Sequence, residues 1–129
     1  MEILHIAHRS DWERAEEAGS YTVSTRGLSL DSVGFIHASG ADQVSGVARA
    51  HYADDPEPLV VLVLDADRIV SSGTPVRYED GGDGQDYPHI YGPILPAHVV
   101  AVLSAGFAGG TFWWGSPGSA TGGRADLRR

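Results

Sequence analysis

Three histidines stand in runs of apolar residues where leucine or valine would pack more readily. They are His5 in Ile3-Leu4-His5-Ile6, His37 in Gly34-Phe35-Ile36-His37-Ala38-Ser39, and His89 in Tyr87-Pro88-His89-Ile90-Tyr91-Gly92-Pro93. A buried imidazole without a partner is costly, so each needs a hydrogen-bonding neighbour or a ligand. Three together predict one shared pocket, with Ser39 and Tyr91 on its wall. Convergent polar groups in an apolar concavity are what a small-molecule site requires.

The rest of the composition narrows the chemistry. There is no cysteine, which excludes disulfides, thiolate nucleophiles and thiolate metal sites. There is no lysine either, which removes Schiff-base catalysis and a P-loop lysine. Cations must come from arginine or protonated histidine, and arginine suits two-pronged grips on carboxylate or phosphate. A formal net charge of −8 argues against a partner held by broad nucleic-acid electrostatics. Acids concentrate between Asp54 and Asp86, while Arg124, Arg128 and Arg129 crowd the end of the chain. The ordinary reading is a solvated acidic face. A small-molecule ligand fits this balance better than a polyanion. The start of the chain lacks the pattern of a signal peptide, and no apolar run reaches the roughly 18 residues that span a bilayer. No membrane partner and a cytoplasmic location are therefore expected.

At 129 residues one domain is expected. Residues 2–7 read as a strand. Ser10 with Glu13 reads as a capping box opening a helix to about Ala18, with Trp12 and Ala15 inside and Gly19 as its stop. Tyr21–Ser24 reads as a short strand. The 34–39 run feeds a second helix over about 41–52, supported by the spacing of Val44, Val47, Ala48 and His51. Ser39 is a candidate N-cap for that helix, and a free helix start would also suit an anion. Leu59–Leu64 is apolar on both faces and predicts a central strand. Asp65–Ile69 reads as a helical turn, Val76–Glu79 as a strand ending in a Gly-rich acidic loop, Pro96 as a turn, and Val99–Leu103 as a last strong strand. Residues 1–114 form the globular unit in this reading, and 115–129 a flexible Gly/Ser/Arg-rich tail. The class is α+β, and no G-x-G-x-x-G supports a Rossmann site.

The order of His5, Trp12, the 34–39 motif with Gln43, a Leu/Val strand ending in Asp65, Arg77-Tyr78-Glu79 and Pro88–Pro93 resembles domain of unknown function family 952. The resemblance covers roughly residues 2–107. It implies an ADP-ribosyltransferase-like fold: a curved, split β-sheet flanked by two main helices, with a cleft for a nicotinamide-dinucleotide-type ligand. In one clade of that superfamily a first-strand histidine binds ribose, a tyrosine stacks on nicotinamide and a late-strand glutamate polarises the ribose. His5 matches the first by position. Glu79 and Tyr91 have the other side chains, in reversed chain order. Arg77 would hold phosphate, Trp12 would stack, and NAD would be the substrate, with no resident cofactor required.

Cleaving a nicotinamide–ribose bond builds positive charge on the sugar, which a nearby carboxylate stabilises. His5, His37, His89 and Glu79 are accordingly the candidate catalytic residues, and Ser39, Arg77, Tyr91 and Trp12 the candidate binding residues. Transferase, hydrolase of a glycosidic bond, non-catalytic small-molecule or partner-binding module, and biosynthetic enzyme reusing the fold all remain open. Three histidines with Glu79 could alternatively hold a divalent metal, but no tight H-x-H or H-x-x-x-H spacing supports it, and none is assigned. Ser39 lacks the G-x-S-x-G elbow of a serine hydrolase. His8, His51 and His98 carry no assigned role. Trp113-Trp114 reads as a packing or dimer contact.

Overall fold

A computed structural model describes residues 1–115 of the chain. The first strand, β1 (Glu2–His8), runs straight into α1 (Arg9–Ala18). The helix starts one residue before the predicted cap. His8 is its N-cap without a side-chain cap bond, because Arg9 N–H donates to the Pro58 carbonyl at 2.9 Å and turns the chain there. Gly19 ends the helix in the left-handed region, φ 88°, donating to Ala15 O as a glycine stop should.

A small hairpin follows, β2 (Val23–Thr25) with β3 (Leu28–Ser29), then the short helix α2 (Leu30–Val33), whose capping box is formed by Ser29 and Ser32. Next come β4 (Ile36–His37), α3 (Val44–Tyr52), β5 (Leu59–Asp65) and α4 (Ala66–Ser71), where Asp65 caps α4 by accepting from Asp67 and Arg68 N–H. The chain closes with β6 (Val76–Asp80), β7 (Asp86–Ile90), a 3₁₀ turn at Pro96–His98, β8 (Val99–Ala108) and β9 (Thr111–Gly115). The expected α+β class holds, with α1 and α3 as the main helices. Of the flexible tail expected over 115–129, Gly115 instead pairs with Ser104 in β9, and residues 116–129 lie outside the described residues. Among the described residues no helix is long and apolar enough to cross a membrane.

The main sheet has strand order β1-β5-β8-β9, antiparallel throughout. Leu59–Leu64 is central, as its two-sided apolar pattern requires. Val60, Leu62 and Leu64 pack with Trp12, Tyr21, Ile36 and Ile90, whereas Leu59, Val61 and Val63 pack with Val44, Ala48 and Tyr52 of α3. Each fully buried aliphatic of this strand contributes about 1.5–3 kcal/mol by leaving water. β9 was not anticipated from sequence. It seats Trp114 in the α3 layer, where the buried indole Nε1 has no hydrogen-bond partner.

The second sheet, order β4-β7-β6, carries the candidate site. It joins the first through a single bridge, in which Leu4 N–H donates to Ser39 O at 2.8 Å and Ser39 N–H to Leu4 O at 2.7 Å. Ser39 is therefore a splice between sheets. It does not cap α3, whose N-cap is Gln43, because a turn over residues 40–43 intervenes.

Candidate functional site

Strand register decides which side chains of the small sheet share a face. His37 lies opposite His89, and His89 opposite Arg77; Glu79 lies opposite Tyr87. With a period of two, His37, Tyr87, His89, Arg77 and Glu79 fall on one face, while Ile36, Ile90 and Pro88 fall on the other. Ile36 and Ile90 are fully buried in the core, which fixes that orientation. A one-residue slip would bury the polar set instead.

On this face Glu79 is the hub. Its carboxylate accepts from the Tyr91 hydroxyl at 2.5 Å and from His89 Nδ1 at 2.9 Å. The Tyr91 bond, then the His89 bond, hold its pKa below the usual glutamate value, so it is an anion at neutral pH. An ionised carboxylate only accepts, so His89 carries its proton on Nδ1, and in the neutral ring Nε2 keeps the lone pair. Phe35 stacks on His89 with centroids 3.9 Å apart, Tyr91 sits 5.6 Å from Phe35, and the Arg77 guanidinium lies 5.2 Å from the Tyr91 ring centre. The same bond to Glu79 raises the pKa of Tyr91, which stays protonated.

His37 extends this aromatic wall, 5.5 Å from His89 and 5.0 Å from Tyr87. Burial first, then the neighbouring His5 and His89, lowers its pKa to about 4. It is thus a neutral imidazole at physiological pH. It lines a groove of about 550 Å³ between α3 and the β6–β7 loop, whose walls include Gln43, Arg49, His51, Asp83 and Tyr87. Gln43 closes one end, donating from Nε2 to Asp86 O at 2.9 Å and accepting Gly40 N–H on Oε1 at 2.9 Å. Tyr87 donates to Asp83, which pushes its hydroxyl pKa up to about 12 and holds Asp83 below its usual value.

His5 is positioned differently from the expectation that it meets a ligand. Its Nδ1 is 2.7 Å from the His37 carbonyl and its Nε2 2.9 Å from the Tyr21 hydroxyl. A carbonyl cannot donate, so Nδ1 bears the proton and Nε2 accepts from Tyr21. Burial lowers the His5 pKa to about 4, with the bond to His37 opposing. Both nitrogens are engaged, so His5 acts on the site only by fixing the His37 backbone. With Ser24, His37 and Ser39 it borders a narrow cleft of about 10 Å³, no larger than one water.

Of the predicted residues, His37, His89, Glu79, Arg77 and Tyr91 share the face. Arg77, Glu79, His89 and Tyr91 are outside the groove wall and His5 and Ser39 lie behind it, so the one pocket expected to be bordered by His5, His37 and His89 is not formed: only His37 lines the groove. Trp12 is not at the site: it is 4% exposed and packs 6.2 Å from Tyr21 in the core, where a large aromatic on a helix's inner face gains most. Of the spacing expected for α3, Val44 and Ala48 are buried with Tyr52, while His51 is exposed on the groove side. Phe35, Gln43, Asp83, Tyr87, Arg49 and His51 were given no role at the site from sequence. Only the glycines around Asp83 and the alternation of Tyr87 with His89 hint at them.

No metal constellation forms from the three histidines with Glu79, because only His89 reaches that carboxylate. Among the described residues His8, Asp55 and Glu57 come within ligand distance of one another. Here His8 Nε2 is 2.5 Å from Asp55 and Nδ1 3.4 Å from Asp11, and Arg26 Nε lies 3.1 Å from the same Asp55 oxygen. Burial opposes charge on His8, but the bond to Asp55 and the surrounding carboxylates outweigh it and raise its pKa. The His8 ring and the Arg26 guanidinium already engage the inward-facing oxygen of Asp55. His98 is likewise structural, its Nδ1 accepting Leu95 N–H at 3.0 Å and its Nε2 2.9 Å from Ser72 Oγ.

No curated protein matches the chain. Among solved structures, the crystal structure of protein CC0527 from Caulobacter crescentus is similar, at 25% identity and a TM-score of 0.73 over 87% of this chain and 93% of that one. A solution NMR structure of CC0527 aligns at 23% identity and a TM-score of 0.67, covering 85% and 90%. The fold described above is therefore also that of an experimentally determined protein. The family profile described as "Protein of unknown function (DUF952)" matches residues 6–102, well over half the chain and the whole of the polar face, so the protein belongs to the DUF952 family.

Proposed function

We propose that the polar face of the small sheet and its groove form a site for a nucleotide or similar N-glycoside, as in ADP-ribosyltransferase-like proteins, with glycosidic-bond cleavage or transfer as the reaction. The observation that carries this reading is Glu79, a carboxylate kept anionic by Tyr91 and His89 beside an aromatic wall. When a nicotinamide–ribose bond breaks, nicotinamide leaves with the bonding pair and the sugar becomes an oxocarbenium-like cation. A fixed carboxylate stabilises that charge without reorganising. Phe35, Tyr91 and Tyr87 offer faces for a flat ring. His37 is neutral and its ring makes no hydrogen bond among the described residues, so its nitrogens are open to hydrogen-bond a ligand; with a pKa of about 4 it is a weak base at neutral pH. The split arrangement of two antiparallel sheets is compatible with an ADP-ribosyltransferase-like fold.

One observation favours the non-catalytic alternative, a ligand-binding module: the Glu79 carboxylate is turned to His89 and Tyr91 and is not in the groove wall. Calorimetry with NAD and ADP-ribose, followed by a nicotinamide-release assay on wild type and Glu79→Gln, separates the two. Release that disappears in E79Q supports the enzyme; binding without release supports the module; no binding of either compound removes the dinucleotide reading.

A further inference from the structure

The β6–β7 loop has the composition of a phosphate cradle, Gly81-Gly82-Asp83-Gly84, but its amides are turned inward. Gly82 and Gly84 N–H both donate to Asp80 Oδ1, at 2.7 and 3.2 Å, and Gln85 N–H donates to Asp83 Oδ1 at 3.0 Å. Gly81 N–H is taken by the Gln85 carbonyl at 3.0 Å. Carboxylates of the chain itself already occupy the positions where phosphate oxygens would sit in an anion-binding loop. Across the groove, the turn that leads into α3 is likewise bonded to itself. At the start of α3, Gln43 and Val44 N–H both donate to the Gly40 carbonyl, and Gly40 N–H goes to Gln43 Oε1. Arg49 is the one arginine among the groove residues, which also include the carboxylates of Asp42 and Asp83.

From these contacts, and resting on the reading of the groove as an N-glycoside site, we propose that it selects a phosphate-free ligand: an uncharged or cationic heterocycle on a ribose. Carboxylates and the Gln43 and Gln85 amides suit sugar hydroxyls, which donate as well as accept. The aromatic floor of His37 and Tyr87 suits a flat ring, and a cationic ring gains further from Asp83 close by. A pyrophosphate would meet two carboxylates and a loop whose Gly81, Gly82, Gly84 and Gln85 amides are already taken.

The test is competitive calorimetry at low salt with nicotinamide riboside, NAD and ADP-ribose on wild type and Asp83→Asn. Asparagine keeps the acceptor for Gln85 N–H and removes the charge, while the Tyr87 contact turns round, Nδ2 donating to the tyrosine oxygen. The riboside is expected to bind at least about tenfold more tightly than either phosphorylated compound, with that ratio shrinking in D83N and in high salt. Equal or tighter binding of NAD or ADP-ribose overturns the phosphate-free inference and leaves the N-glycoside site standing. A ratio unchanged in D83N overturns the assignment of selection to this loop. Binding of none of the three overturns the site reading, and the inference with it.

Discussion

Acid should weaken this fold through His5 well before its carboxylates titrate. His5 is 2% exposed, and burial lowers its pKa from 6.5 to about 4. Its pKa is depressed in the fold, so between these values the unfolded chain binds a proton that the folded chain does not. Stability is therefore full above about pH 6.5 and falls as pH drops toward 4. At pH 4.5 nearly all unfolded His5 is charged and most folded His5 is not, which amounts to about 2.5 kcal/mol at 1.36 kcal/mol per pKa unit. His37 has the same sign and adds less, being partly exposed. His8 has the opposite sign, since its pKa is raised. Glu79, Asp55 and Asp83 are lowered and lose their contribution only below the normal carboxylate range. Against a typical total of about 5–15 kcal/mol, the His5 contribution is measurable by urea unfolding at pH 7, 6, 5 and 4.5. His5→Gln is the control: its amide can donate to His37 O and accept from Tyr21, and it does not titrate. It should be less stable at pH 7 by about 1–2 kcal/mol, with a pH profile flatter by about the 2.5 kcal/mol derived for His5. Parallel profiles for the two proteins, or an NMR titration placing His5 near pH 6.5, would refute the reasoning.

Three further outcomes are expected. Glu79→Gln should lower any glycosidic-bond turnover by about 100-fold or more while leaving the melting temperature nearly unchanged, because the site is at the surface; equal turnover would remove Glu79 from the chemistry. Gly81→Ala should cost about 1–3 kcal/mol and weaken ligand binding, since a Cβ there would lie 2.5 Å from the Tyr87 ring; a melting curve matching wild type would show that the ring can move aside. Asp55→Asn should bring the His8 pKa down, because the Asp55 bond is the largest influence raising it; NMR titration of His8 checks this, and an unchanged midpoint would assign the shift to Asp11 and Glu57.

How much of the site was readable depended on the range of the forces involved. Leu59–Leu64 declares itself central because six consecutive apolar residues leave no face for water, and both its faces are buried. Gly19 declares a helix stop through local backbone preference. The three histidines stand out for the same kind of reason, being polar groups in runs that packing would otherwise fill. The expected Ser10 cap failed because a distant carbonyl, Pro58 O, starts α1 at Arg9 and makes His8 the N-cap, two residues earlier. Ser39 was misread because the bridge to Leu4 competes with capping, and no pattern within ten residues reveals that bridge.

Residue type and periodicity thus determined that Leu59–Leu64 is a central strand, that His5, His37 and His89 interrupt apolar runs, and that no thiol or lysine chemistry is available. Which polar groups meet was decided by tertiary structure alone. Glu79 touches His89 and Tyr91 only because the β6–β7 register sets Arg77 opposite His89, and a slip of one residue would turn Glu79 to the other face. His5 and Trp12 have the side chains of ligand-binding residues, yet sit behind the site, because their strand and helix bury those faces against Tyr21. Asp83 looked like part of a solvated acidic loop until the hairpin folded its carboxylate onto Tyr87 and Gln85 N–H beside the groove. Local preferences act within a turn or a strand, whereas the site is assembled by pairings such as His37 with His89 and Gln43 with Asp86 that only the packed chain specifies.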